Sequence, residues 1–165
     1  ETAYVDRPIP LGNGRALNPP LATGRLLTAS EIISGDKVLL LSDATGYTSA
    51  LLDAMSAVVT TVDEGDRPAA VPAAVTWIKG QASEGHLAGA PYDVILIDGA
   101  VEGISDALKA QLADGGRIVS GLVERGVTRL VAGRKVGESL GFVSLADIEM
   151  AQATGFAPRP REFTF

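Results

Sequence analysis

The side chains best suited to chemistry in this sequence fall just after short apolar runs. KVLLL leads into Ser42-Asp43-Ala44-Thr45-Gly46-Tyr47, VVTTV into Asp63-Glu64, VTWIK into Gly80-Gln81-Ala82-Ser83, and YDVILI into Asp98-Gly99-Ala100. If these runs are strands of one open parallel sheet, their carboxyl ends share a crevice, and ligands of such sheets bind there. A nucleoside cofactor would lie across the four turns. Asp63 is the best placed acid, because a carboxylate ending the second strand can accept from both ribose hydroxyls. Asp98 would face cofactor or substrate. Each residue also has a plain structural reading: Gly46 permits a tight turn, Thr45 caps a helix, Asp43 is a solvated turn acid, and acids end strands because loops are polar.

Other chemistries find little support. The sequence has no cysteine and one histidine, which excludes disulfides, thiolate metal sites and cysteine nucleophiles, and no metal site is expected. His86 sits in the glycine-rich stretch 83–89 without a partner for a triad, so it reads as a loop residue. Trp77 alternates with Val75 and reads as core; Arg159 and Arg161 flank Pro160 and read as solvated. No G-x-S-x-G elbow is present, and hydrolase chemistry is unsupported. With 14 basic and 20 acidic residues, a net charge of −6 and no basic cluster, a nucleic-acid partner is disfavoured. The longest apolar runs, residues 38–41 and 94–97, are far short of the roughly 20 residues of a membrane span, so neither a span nor a signal peptide is expected. Lack of cysteine is compatible with a reducing cytoplasm, the default compartment. The chain opens on Glu1 instead of methionine, and an upstream segment is expected to be missing.

The elements that must position these turns follow from the pattern. At 165 residues one domain is expected, and 46% apolar residues with only 5% aromatics place the core on Val, Ile, Leu and Ala, as in parallel sheets flanked by helices. Residues 4–20 are interrupted by four prolines and read as an extended, turn-rich arm. Residues 21–33 have apolar positions at helical spacing and should stop at Ser34-Gly35-Asp36. Strand, turn and helix then follow through KVLLLSDATGY and SALLDAMSAV. Pro68 and Pro72 forbid a full crossover helix after Glu64. Residues 104–112 read as a helix closed by Ala113-Asp114-Gly115-Gly116, and 117–123 as a fifth strand. Strand-like stretches at 127–135, 142–149 and 161–165, without long helices between them, point to an antiparallel finish. The expected organisation is a single domain over 1–165: an arm at 1–20, a core at 36–123 and an antiparallel part at 124–165.

The order of the segments YVDRPIPLG, LATGRLL, SGDKVLLLSDATGYTSALL, VVTTVDE and APYDVILIDGAVEGISDALKAQLADGGRIV resembles the protein-L-isoaspartate O-methyltransferase family. The similarity is greatest to a divergent bacterial branch that ends in a tail of the type Gly155-Phe156-Ala157-Pro158 and onward to Phe165. The resemblance implies an α/β, three-layer Rossmann-like methyltransferase fold, its sheet mostly parallel with antiparallel C-terminal strands. It also implies an S-adenosylmethionine cofactor and methyl transfer to the carboxyl of isoaspartyl residues in damaged proteins. An ionised carboxylate is already a nucleophile and a sulfonium an excellent leaving group, so alignment and exclusion of water suffice and no catalytic side chain is assigned.

Residue by residue, the resemblance implies cofactor contacts from Ser42, Asp43, Thr45, Gly46, Tyr47, Asp63, Glu64, Gln81, Asp98 and Gly99. Substrate contacts would come from Asn18, Pro20 and Asp98. The departures are specific. The family's first turn reads acid, x, Gly, x, Gly, x, Gly, and those positions are here Leu40, Ser42, Ala44 and Gly46, which implies a tighter and less polar pocket. Asp43 is the candidate replacement for the lost acid. Gln81 stands where an acid often contacts adenine, and Asn18-Pro19-Pro20 replaces a Ser or Thr followed by Gln-Pro. The family's N-terminal helical segment, ahead of the arm, is expected to be missing from this sequence. Two alternatives stay open: an inactive binding or interaction module on this fold, and a methyltransferase for another acceptor.

Overall fold

The computed structural model describes residues 6–157. The strand expected at 161–165, Arg159, Arg161 and the end of the tail motif lie outside them. A hairpin comes first, β1 (Ile9–Gly12) and β2 (Arg15–Leu17), and it is followed by α1 (Pro20–Ser30). The main sheet is built from β3 (Lys37–Leu41), β4 (Val58–Asp63), β5 (Thr76–Lys79), β6 (Tyr92–Val101), β7 (Leu112–Glu124), β8 (Val127–Val136) and β9 (Ser139–Asp147). α2 (Tyr47–Ala54) follows β3 and α3 (Asp106–Ala110) follows β6.

The strand order is β5-β4-β3-β6-β7-β8-β9. β3 pairs in parallel with β4 and β6, so chain order reverses between them. β4–β5 and β6–β7 are parallel, while β7–β8 and β8–β9 are antiparallel. This is the mostly parallel sheet with an antiparallel finish that the segment order implies. In β3, Val38 and Leu40 pack with α1 and α2 through Leu26 and Leu52. Leu39 and Leu41 face the other way, toward Leu108 of α3 and Tyr92. Burial on both faces explains why the run is continuously apolar instead of alternating. The sheet is thus the middle of three layers, and the layer holding α3 is the thinner.

Local chemistry shifts several boundaries. The arm is a hairpin, because Gly12, Asn13 and Gly14 all take positive φ and turn the chain tightly;. α1 ends at Ser30, earlier than the expected stop, where Glu31 adopts a left-handed φ of 50° and its N–H reaches Thr28 O. α3 is only five residues long, and Leu112 already pairs with Tyr92 as the start of β7. Between β4 and β5 no helix forms, as Pro68 and Pro72 require. The Arg67 guanidinium instead donates to Val75 O at 2.8 Å, Pro72 O at 2.6 Å and Val71 O at 3.3 Å.

Candidate functional site

β3, β4, β5 and β6 end on the same side of the sheet, and the turns after them form the candidate cleft. Ser42 leaves β3 with φ 70°, a left-handed conformation that costs a side chain about 1 kcal/mol and that glycine adopts freely. The Ser42 hydroxyl is used inside the chain: it accepts from the Thr154 N–H at 2.8 Å and lies 3.1 Å from the Thr154 hydroxyl. Gly46 precedes α2 with φ 80°, and a Cβ there would meet the Val71 Cγ2 at 2.5 Å. Gly46 therefore seats the crossover as well as the turn.

Asp43 is buried, unlike the solvated turn acid expected. Its Oδ1 accepts from Gly46 N–H at 3.0 Å and its Oδ2 from Ser49 N–H at 2.8 Å. Both oxygens thus accept from backbone N–H groups at the start of α2. Burial raises the Asp43 pKa, those hydrogen bonds oppose the rise, and the charge of Asp63 adds to it;. Thr45 does not occupy the helix cap, since Gly46 holds that position; its hydroxyl accepts from Tyr47 N–H at 3.3 Å. Tyr47 is half exposed.

Asp63 ends β4 fully buried and is bound by Arg15 of β2, whose Nη2 donates to its Oδ1. The same oxygen accepts from Gly65 N–H at 2.7 Å. A methyl on residue 65 would run into the Arg15 guanidinium, so Gly65 makes the room for it. The other oxygen, Asp63 Oδ2, and the Arg15 Nε are buried without a hydrogen-bond partner among the described residues. Glu64 and Gln81 are exposed beside this pair of turns, and Pro20 is exposed at the first position of α1.

Asp98, in the last third of β6, joins three segments. It accepts from Asn18 Nδ2 at 2.7 Å and from Thr48 Oγ1 of α2 at 2.7 Å, while Asn18 Oδ1 accepts from Ala151 N–H at 2.8 Å. Burial, reinforced by the charge of Asp43, pushes the Asp98 pKa up to about 6 against the pull of the two hydrogen bonds;. Gly99 has φ 151°, and a Cβ on it would lie 2.8 Å from Ala151 O.

The segment after β9 crosses these turns. Ala100 N–H donates to Ala151 O at 2.8 Å and Ala153 N–H to Ala100 O at 2.9 Å, a short parallel bridge on β6. Thr154 then reaches Ser42, and Gly155 O accepts from Ser83 N–H at 3.1 Å. A Cβ on Gly155 would lie 2.8 Å from Ala82 N and 3.4 Å from Glu64 Oε1. Beside this segment a cleft of about 110 Å³ remains, lined by Ala100, Val123, Gln152 and Phe156 among others. That is well below the roughly 300 Å³ at which small-molecule pockets begin. Asn18, Ser42, Asp98 and Gly99 are thus brought together, with Asp63 and Glu64 farther along the same edge. Arg15, Thr48 and residues 150–155 are the participants that sequence reading missed. The turn signal G-N-G before Arg15 marks a hairpin, but nothing local marks its partner 48 residues on.

The family model described as Protein-L-isoaspartate(D-aspartate) O-methyltransferase matches residues 1–141. The chain belongs to this family. A relative from Koribacter versatilis named Protein-L-isoaspartate O-methyltransferase is 35% identical over 162 residues, spanning 93% of this chain and 73% of its own. One from Rhodopseudomonas palustris, Protein-L-isoaspartate O-methyltransferase 1, is 30% identical over 178 residues, spanning 98% and 73%. Among solved structures, a protein-L-isoaspartate O-methyltransferase superposes with a TM-score of 0.79 at 18% identity, over 92% of this chain and 54% of that one. A Plasmodium falciparum protein in complex with S-adenosyl-L-homocysteine gives 0.70 at 14% identity, over 92% and 82%. At such identities the likeness establishes the fold, and it is the Rossmann-like methyltransferase fold of this family. Ser42 takes a left-handed backbone conformation that glycine adopts more freely than any other residue;.

Proposed function

We propose that this member of the family transfers a methyl group from S-adenosylmethionine to the carboxyl of isoaspartyl residues in proteins and peptides. The observation that carries the reading is Asp63. It is a buried acid at the carboxyl end of β4, beside the reversal of strand order, with one oxygen that has no hydrogen-bond partner among the described residues. Such an oxygen suits a sugar hydroxyl, which can donate to it. Asp63 and Gly65 would hold the ribose end, the turn from Ser42 to Tyr47 the amino-acid end, and the backbone at residues 81–83 with Glu64 the base. When bound, the cofactor supplies an electrophilic methyl on a sulfonium.

The chain's own residues then have modest tasks. Asn18, tied to Asp98 and to Ala151, positions the arm that would present the acceptor carboxylate; Pro20 starts α1 beside it. Asp98 holds Asn18 and Thr48 in place. The reading takes residues 1–20 as the substrate-side arm of a single domain over 1–165, with a core at 36–123 and an antiparallel part at 124–165, and the cytoplasm as its compartment. Among the described residues no helix is long and apolar enough to cross a membrane.

A specific pair of contacts favours a second reading, an inactive module on the same fold: Arg15 already holds Asp63, and Thr154 already holds Ser42. Calorimetric titration of S-adenosylmethionine and S-adenosylhomocysteine separates the two, because a module that has lost the cofactor gives no heat at millimolar ligand. If the ligand binds, Asp63→Ala should weaken it at least about tenfold, the loss of one charged hydrogen-bond acceptor. Unchanged affinity would show the ribose placement to be wrong. Transfer of labelled methyl to an isoaspartyl peptide, with the matching aspartyl peptide as control, then tests the acceptor.

A further inference from the structure

The four turns that the cofactor reading assigns are all engaged by other parts of the same chain. Arg15 occupies one oxygen of Asp63, and the other is buried without a hydrogen-bond partner among the described residues. Thr154 takes the Ser42 hydroxyl, Gly155 O takes Ser83 N–H while its α-carbon sits against Ala82 and Glu64, and residues 151–153 line the end of β6. From this we infer that Arg15 and residues Thr154 and Gly155 are internal occupants of the cofactor cleft, and that they set its affinity by having to leave. The inference rests on the cofactor reading above and goes beyond it by naming the competitor.

The form of the contacts supports exchange over permanence. Arg15 meets Asp63 with one prong where a guanidinium and a carboxylate can make two parallel bonds. Arg15 Nε and Asp63 Oδ2 are each left buried and unsatisfied, which makes the closed arrangement costlier than a fully paired one. The hairpin that carries Arg15 is lightly held: every residue of β1 is exposed, including Ile9 and Leu11. Its base is firm, because Asn18 is bonded both to Asp98 and to Ala151. The hairpin can therefore pivot between Arg15 and Asn18 without disturbing α1. Thr154 and Gly155 likewise rest on polar and backbone contacts at the turns, whereas Met150, Ala151 and Ala153 are buried in the core and Phe156 packs against it, anchoring the segment on both sides.

The test compares the full chain with Arg15→Gln and with Gly155→Ala. The second variant places a methyl 2.8 Å from Ala82 N at a φ of 78°, which must lift the segment from its seat. S-adenosylhomocysteine titrated by calorimetry should bind Arg15→Gln tighter than the parent by about 10- to 100-fold, the scale of one charged hydrogen bond returned to the ligand, and Gly155→Ala by about 2- to 10-fold, the scale of one neutral hydrogen bond. Hydrogen exchange on the parent chain gives a readout that needs no substitution: saturating S-adenosylhomocysteine should speed exchange at the Thr154 amide. A purely structural role for Arg15 predicts lower thermal stability in Arg15→Gln with no gain in affinity. Binding by all three proteins with equal affinity, and unchanged exchange at residue 154, overturns the internal-occupant inference and leaves the cofactor reading standing. No binding by any of the three overturns both.

Discussion

Asp98 carries a charge in the one place where the arm, α2 and the end of β6 meet, and its pKa of about 6 against an ordinary 3.8 sets a pH dependence. The folded state holds the Asp98 proton more tightly than the unfolded chain does, so this group's contribution is most favourable below about pH 4. Stability is then lost as pH rises through about 6, when the buried carboxyl ionises. The full difference is on the order of 2–3 kcal/mol. Asp98→Asn should remove that slope, and urea unfolding between pH 4 and 7 would show it; a slope equal to the parent's would place the titration elsewhere. Asp43 makes the opposite kind of choice from the one its position suggests. Turn acids are usually solvated, but here both oxygens accept from Gly46 and Ser49 N–H groups, which fixes the entrance to α2.

The β4–β5 crossover shows an element held by a side chain in place of its own backbone bonds. Two prolines prevent a helix there, so carbonyls that a helix would satisfy are left over. Arg67 collects three of them, those of Val71, Pro72 and Val75. A planar fork suits several acceptors at once, and an ammonium does not. Arg67→Ala should therefore destabilise the protein by about 1–2 kcal/mol, and Arg67→Lys should recover less than half of that. The loss should concentrate in faster amide exchange of β5, an edge strand that depends on this crossover. Uniform acceleration across the sheet would show that Arg67 acts on global stability alone. The crossover also packs Val71 over Gly46, so loosening it reaches the first turn of the cleft.

Across the whole molecule, binding and stability are linked. A ligand that binds the folded chain alone stabilises it by about 2.7 kcal/mol at 100 times its Kd. For a chain of this size that corresponds to a rise in Tm of roughly 5–10 °C. Thermal scans with S-adenosylhomocysteine should show that rise in the parent at high ligand, and in Arg15→Gln at about tenfold less ligand. No shift at millimolar ligand would contradict the cofactor reading. The sheet is buried on both faces through β3 and β6, so stability gained at the carboxyl ends of these strands is felt by the entire core.

Much of this architecture is legible along the chain because it depends on local periodicity and local turn chemistry. The continuous apolar runs of β3 and β6 announce strands covered on both sides, the prolines at 68 and 72 rule out a crossover helix, and Asp63 and Asp98 are visible as acids at strand ends. The order of segments was enough to reveal the family. The pairing of Arg15 with Asp63, the meeting of Asn18 with Asp98 and the passage of residues 150–155 over Ser42 and Ser83 are different in kind. Each joins positions at least 48 residues apart, with the closest pair Arg15 and Asp63. Nothing in the local pattern of either partner specifies the other, because the contact exists only once the sheet has set both at one edge. Strands and turns were decided by neighbours in sequence; which groups occupy the cleft was decided by the closure of the fold.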